Sequence, residues 1–181
     1  MLDGRVVAVA SRKGHRFSKS PQLSIMLVEG RGVESDGHFG ETVQHRSRRR
    51  WNPALPNLRQ VHLLPLELLG ELRAAGFELN PGDLGENILT QGLDLIALPR
   101  ATRLGLGANA VVELTGLRNP CVQMDRFMPG LMAATLGRDA AGELIRKAGV
   151  MGIVTCGGEV VPGDAIACIQ PEGVIETLRP V

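Results

Sequence analysis

Ala108–Cys121, ANAVVELTGLRNPC, decides how the rest of the chain is read. The apolar run Ala110 to Leu114 predicts a strand over Ala108–Thr115, and the strand signal stops at Gly116. Pro120 removes a backbone donor and fixes the chain just before Cys121, and it biases Asn119 away from helical geometry. A cysteine is thus presented on a stiff turn at a strand end, with Arg118 beside it. A nearby cation favours thiolate over thiol, and thiolate is the nucleophile and the metal ligand. Taken alone, the same stretch also fits a half-buried loop cysteine with no chemistry.

Outward from this strand, others recur at short intervals. Val150–Cys156 and Asp164–Ile169 read as strands joined by GGEVVPG, a hairpin-like connection. Upstream, Val6–Ala10, Ser24–Val28 and Arg59–Leu64 are short, apolar or alternating runs bounded by polar residues. The clearest helix is Pro65–Ala75: Leu66, Leu69 and Leu72 fall at helical intervals, Pro65 suits the first position and Gly76 suits a stop. Gly130–Leu136 and Gly142–Ala148 predict two shorter helices. At least six short strands without regular βαβ alternation, in a chain with 23 Gly and 11 Pro, predict a mostly β fold with peripheral helices (α+β). A closed or partly closed β-barrel fits best. No repeat or linker divides the chain, so residues 1–181 are read as one domain.

The net charge of +1 argues against bulk electrostatic binding to nucleic acid or membrane. No stretch approaches the roughly 20 apolar residues of a membrane helix. The N-terminal apolar run is too short for a signal-peptide core. Three cysteines give no disulfide framework, and a cytoplasmic location is the expectation. Seventeen arginines stand against three lysines. High genomic GC content accounts for such a skew as readily as anion recognition does.

Several common sites are missing: no phosphate-binding G-x-x-x-x-G-K-[ST] loop, no H-E-x-x-H and no C-x-x-C. His15, His38, His45 and His62 have no zinc-ligand spacing. His62, between Val61 and Leu63, reads as a satisfied core histidine. Cys168 reads as a small core hydrophobe, and Cys156 ends a strand with no adjoining cation. Cys121 is therefore the candidate reactive cysteine. Three other segments stand out. EGRGVESDGHFG, Glu29–Gly40, holds Asp36 and His38 one residue apart. QHRSRRR, Gln44–Arg50, has four arginines in five residues and also fits a solvated loop. PGDLGENI, Pro81–Ile88, sets Glu86 and Asn87 between apolar Leu84 and Ile88, where both need partners if buried. Glu86 either neutralises a structural arginine or orients Arg118 or Arg59 toward a ligand.

Together these segments resemble the MOSC family, the molybdenum cofactor sulfurase C-terminal domain. The resemblance rests on Asp36 and His38 in D-x-H, Arg59–Val61 in RQV, Gly82–Asn87 in GDLGEN and Arg118–Cys121 in RNPC. Gly152, and Gly158 with Pro162–Asp164 in GG-x-x-x-PGD, complete it. It runs from about Val6 to Ile169. One departure is Ser35, where many relatives carry Gly.

The resemblance implies a barrel-like fold with a shallow basic cleft that takes the molybdenum cofactor (molybdopterin). Cys121 would then be the catalytic residue and the molybdenum ligand, flanked by Arg118 and Asn119. Arg59, Glu86, Asn87, Asp36 and His38 come with the matching motifs, and Arg46 and Arg48 are assigned to the cofactor phosphate from charge alone. No pyridoxal phosphate site is evident within the chain. The expected function is reduction of small N-hydroxylated or oxidised compounds, with a small-molecule substrate and an external electron-donor protein. The alternatives are a persulfide carrier, fed by a sulfur-donor protein and passing sulfur from Cys121 to an acceptor, and a non-catalytic binding module.

Overall fold

The computed structural model describes residues 3–44 and 46–181. The N-terminal strands are β1 (Asp3–Ser11), β2 (Ser20–Gln22), β3 (Ile25–Val28) and β4 (Gly32–Val33). Helix α1 (Arg46–Trp51), β5 (Val61–Pro65), α2 (Leu66–Ala74), β6 (Ile88–Gln91) and β7 (Arg103–Leu106) follow. Next come β8 (Ala110–Leu117), α3 (Val122–Phe127), α4 (Leu131–Ala134), β9 (Leu136–Arg138) and β10 (Leu144–Arg146). The last strands are β11 (Val150–Cys156), β12 (Gly158–Val160) and β13 (Ala165–Ile169).

Seven strands close into a barrel in the order β13-β7-β8-β11-β5-β6-β1, and β1 pairs back onto β13. Strand β2 extends β1 outside the ring. The β5–β6 pair is parallel, with Leu63 opposite Ile88, and α2 supplies part of the crossover that a parallel pair needs. The barrel interior is filled by alternate residues. Ala110, Val112 and Leu114 of β8 point in, against Leu104 and Leu106 of β7, Val150 and Val154 of β11, and Ile166 of β13. A second apolar layer lies outside the ring, where Leu68, Leu69 and Leu72 of α2 pack with Leu64, Leu89, Met124 and Leu131. Each fully buried leucine here contributes on the order of 1.5–3 kcal/mol. Strand β5 is buried on both faces: Val61 and Leu63 enter the barrel core, and Leu64 enters the helix layer. His62 shares the Leu64 side.

Several expectations need correction. Gly116 does not end β8, which runs to Leu117. A Cβ on Gly116 would collide with the Arg179 carbonyl and Val181, so the glycine marks a close backbone approach and not a stop. Gly142–Ala148 is not helical. Leu144–Arg146 pairs antiparallel with Leu136–Arg138, across a turn in which Asp139 Oδ1 accepts the Ala141 and Glu143 N–H groups. GGEVVPG does not join a hairpin; its Gly158–Val160 portion pairs with β3 instead. The arginine run forms α1 and not an open loop, as arginine's helix propensity allows. Ser11–Pro21, read as loop, already carries the start of β2. The Ile88–Gln91 and Arg103–Leu106 strands and helix α3 had no strong local signal. The helix over Leu66–Ala74 is as predicted, with Pro65 at its N-cap and Gly76 at φ 91° just beyond it.

Candidate functional site

A cavity of about 280 Å³ opens at the end of the barrel where β8 leaves and β6 and β11 enter. Cys121 and Arg118 line it together with Asn119, Arg59, His38 and Asn87. The sequence-predicted residues are thus brought to one place from four loops, and Glu86 and Asp36 lie directly behind them.

The D-x-H turn is built around a buried carboxylate. Asp36 Oδ2 accepts from Lys19 Nζ at 3.1 Å, Asn87 Nδ2 at 3.2 Å and the Arg12 N–H at 3.3 Å. Its Oδ1 accepts from the His38 N–H at 3.0 Å and faces His38 Nδ1 at 3.4 Å. Burial pushes the Asp36 carboxyl up, but the hydrogen bonds from His38 and the Lys19 charge outweigh it, leaving the group well below the usual carboxylate range. Burial also draws Lys19 down, against the pull of Asp36. The turn is not extended; the aspartate folds back on the His38 backbone, as Asx residues do in turns.

The G-D-L-G-E-N turn packs against the segment before β2. Gly82 and Gly85 have φ 91° and 80°, and a Cβ on either would strike the backbone carbonyl of Lys19 or Phe17. The Lys19 N–H donates to Gly82 O at 2.8 Å. Asn87 is the stitch: Oδ1 accepts the His62 N–H at 3.1 Å, and Nδ2 donates to Ala10 O and to Asp36. Glu86 is buried, with Oε1 accepting the Gly82 N–H and Oε2 without a partner among the described residues. Burial raises its carboxyl above the ordinary range; the Gly82 N–H and the charges of Arg118 and Lys19 oppose this. Glu86 therefore acts on Arg118 through space.

Arg118 is 7% exposed. Its backbone N–H donates to Gly149 O at 3.0 Å, and its guanidinium lies 5.6 Å from the centroid of the Phe17 ring. Nη1 is buried without a hydrogen-bond partner among the described residues. Burial lowers its proton affinity, and the neighbouring Cys121 and Glu86 raise it; an arginine remains a cation throughout. The next residue, Asn119, is exposed and its Oδ1 accepts from Arg146 Nε at 2.9 Å. Cys121 is half-buried at the start of α3, with Sγ 3.7 Å from Gln123 Oε1.

Sequence reasoning missed Arg16, Phe17 and Lys19, which also line the cavity. They come from a stretch read as plain polar loop, and nothing local marks Lys19 as the buried partner of Asp36. His62 is a satisfied histidine, as expected, with Nε2 donating to Ala148 O at 2.8 Å. It also faces the cavity. Burial and the Arg118 charge hold His62 neutral. Of the arginine run, Arg49 and Arg50 are exposed on α1 and do not line the cavity. The side chains of Arg46 and Arg48, and all of His45, lie outside the described residues. Cys156 is exposed, and Cys168 is half-buried against the barrel core.

The arrangement sets a soft sulfur beside four cations, with no carboxylate among the described residues that line the cavity. It suits an anionic ligand with an atom that accepts thiolate. The family model for the MOSC domain matches residues 36–167. Among solved structures, the YuaD protein from Bacillus subtilis superposes with a TM-score of 0.77 at 22% identity, over 94% of this chain and 97% of that one. YiiM from Geobacillus stearothermophilus gives 0.68 at 17% identity, over 96% and 79%. YiiM from Escherichia coli gives 0.57 at 17%, over 95% and 73%. At these identities the likeness establishes the barrel. No curated protein matches the chain significantly.

Proposed function

The chain belongs to the MOSC domain family, which is associated with the molybdenum cofactor, and from that premise we propose that its cleft holds this cofactor and reduces small N-hydroxylated or oxidised compounds. The observation that carries the reading is that Cys121 lines one cavity with Arg118, whose buried Nη1 has no hydrogen-bond partner among the described residues. A buried guanidinium N–H without an internal acceptor costs the fold free energy unless a ligand supplies one. Thiolate is the protein ligand that suits a soft, sulfur-rich metal centre, and charge-assisted bonds from arginine suit phosphate.

The residues present fit the group. Cys121 Sγ would hold the metal, and Arg118, Arg59 and Arg16 would meet its anionic portion. The cavity is slightly smaller than the ~300–1,000 Å³ typical of pockets that engulf a drug-sized ligand, so part of a pterin-sized group would lie outside it. When bound, the cofactor would supply the two electrons of the reduction. The chain's own residues bind and orient: Arg118 holds the anion, and Asn119 is held in place by Arg146. Cys121, Cys156 and Cys168 are not spaced as iron–sulfur ligands, so the electrons come from an external donor protein. A reducing cytoplasm would keep Cys121 available as a thiol.

The test is metal analysis and thiol trapping on protein made in a cofactor-competent host. The expected result is roughly one molybdenum per chain, as a single thiolate site implies. Cys121 should resist alkylation until the metal is removed, and Cys121→Ser should stay folded and metal-free. Cyanide-releasable sulfur on a metal-free wild-type protein would replace this reading with a sulfur carrier.

A further inference from the structure

Reduction of an N-hydroxylated compound consumes two protons as well as two electrons: R–NHOH + 2e⁻ + 2H⁺ gives R–NH₂ and water. The N–O bond breaks, and the departing hydroxyl must be protonated to leave as water. The cavity offers few groups able to hold and release a proton. The guanidinium groups of Arg16, Arg59 and Arg118 keep theirs. Lys19 is committed to Asp36 by contacts at 3.1 and 3.2 Å. His62 has Nε2–H fixed on Ala148 O and is held neutral by burial. There is no tyrosine in the chain. Cys121 belongs to the metal in the reading above.

His38 remains. Its side chain is 32% exposed and lines the same cavity as Cys121. Nδ1 faces Asp36 Oδ1 at 3.4 Å, and the Asp36 side chain is fully buried. Asp36 is an ionised carboxylate, which only accepts, so its approach to the ring favours the tautomer with the proton on His38 Nδ1. In that tautomer Nε2 is the ring nitrogen left uncommitted to Asp36. The His38 backbone is pinned too, by its N–H on Asp36 Oδ1 and by Asn57 Nδ2 on its carbonyl. Among the described residues, the other charged or titratable groups around the ring are Lys19, His15, edge-on at 6.0 Å between centroids, and Arg16 and Arg59 of the cavity wall.

We propose that His38 Nε2–H delivers the proton to the departing hydroxyl oxygen, with Asp36 as the positioning residue that fixes its tautomer. The proposal rests on the reductase reading. The electrons come from the external donor protein, the second proton comes from water to the amine nitrogen, and His38 is reprotonated from solvent through its exposed edge.

The experiment has two arms. In the first, long-range ¹⁵N-correlated NMR on cofactor-free protein reads the His38 tautomer. Nδ1–H is expected, changing toward Nε2–H in Asp36→Asn; an Nε2–H tautomer in the wild type overturns the proposal. In the second, loaded wild type and His38→Gln are compared over pH with an artificial electron donor and an N-hydroxylated substrate. His38 is half-exposed, so the variant is expected to fold and load molybdenum as wild type does. Its kcat should fall by about 10²–10⁴, the usual contribution of a positioned acid. The decline of wild-type activity toward high pH should disappear in the variant, and imidazole should restore turnover to His38→Ala. Full activity and an unchanged pH profile in His38→Gln would overturn the proposal while leaving the reductase reading intact. A loaded wild type that reduces nothing would defeat that reading, and the His38 role with it.

Discussion

Replacing Arg118 with methionine separates a ligand-binding arginine from a structural one. A structural arginine repays its burial with bonds inside the fold; a ligand-binding one waits for its partner. Arg118 Nη1 has no acceptor, and leaving such a donor unsatisfied costs about 1–3 kcal/mol. Methionine keeps an unbranched apolar stem against Phe17 and forfeits a cation–π contact worth about 0.5–1 kcal/mol. The remaining complication is Glu86, whose charge would lose an attractive neighbour. The substitution Glu86→Gln removes that charge, so the comparison is made in its background. The expected outcome for cofactor-free protein is a net gain of up to about 2.5 kcal/mol, from the difference of these two terms. For a chain of this size that is a rise in Tm of up to about 10 °C. With Glu86 retained the gain should be smaller, by the lost attraction. The assay is scanning calorimetry of the metal-free variants, paired with molybdenum content after expression with the cofactor. Loading should be lost in the same variant that gains stability. A destabilisation of about 2 kcal/mol or more in the Glu86→Gln background, the size expected for breaking satisfied hydrogen bonds to a charge, would refute the reasoning. Arg118 would then be a structural residue.

Two further outcomes test the surroundings. Ser35 sits at φ 63°, a left-handed conformation that costs a non-glycine residue about 1–2 kcal/mol. Glycine relieves it but adds about 0.4–1 kcal/mol of unfolded-state entropy, so Ser35→Gly should lie between neutral and about 1.6 kcal/mol more stable in urea titrations; a clear loss would contradict the strain. Asp36→Asn strands the buried Lys19 ammonium and should cost about 3–5 kcal/mol near neutral pH. Because the folded Asp36 carboxyl is depressed, its stabilisation is present above the ordinary value of 3.8 and is lost as pH falls below it. The gap between wild type and Asp36→Asn should therefore close in acid; a constant gap from about pH 7 to about pH 2 would rule out the ion pair as its source.

Much of the fold was legible where a strand or helix carries its own period. Ala110, Val112 and Leu114 alternate, and Leu66, Leu69 and Leu72 recur at helical spacing, so β8 and α2 declare themselves. Leu144–Arg146 does not. Three residues cannot distinguish two periods, and its strand exists because Leu136–Arg138 lies opposite. Gly116 misled for a related reason: local sequence reads glycine as a breaker, whereas its role here is set by Arg179 and Val181, far along the chain. At the site, Asp36, His38, Glu86, Asn87, Arg118, Asn119 and Cys121 were visible because their motifs keep local spacing. Lys19 was not, because its meaning depends on a contact with Asp36 across seventeen residues. No pattern within a polar loop encodes that contact.

The seam between β1 and β13 sets an order of events for the living chain. Gly4 lies opposite Ile166 and Arg5 opposite Ala165, so the ring is sealed by its earliest strand meeting its latest. A nascent chain on the ribosome therefore holds Val6 and Val9 without their final neighbours until β13 has emerged. Pairing over such separations is slow compared with local folding, which leaves apolar faces open during synthesis. The Arg118–Cys121 turn is cradled by β5, β6 and β11 of that same ring, so the cleft is not formed on a half-made chain. Whatever the cleft accepts therefore meets a closed ring and not a half-made one.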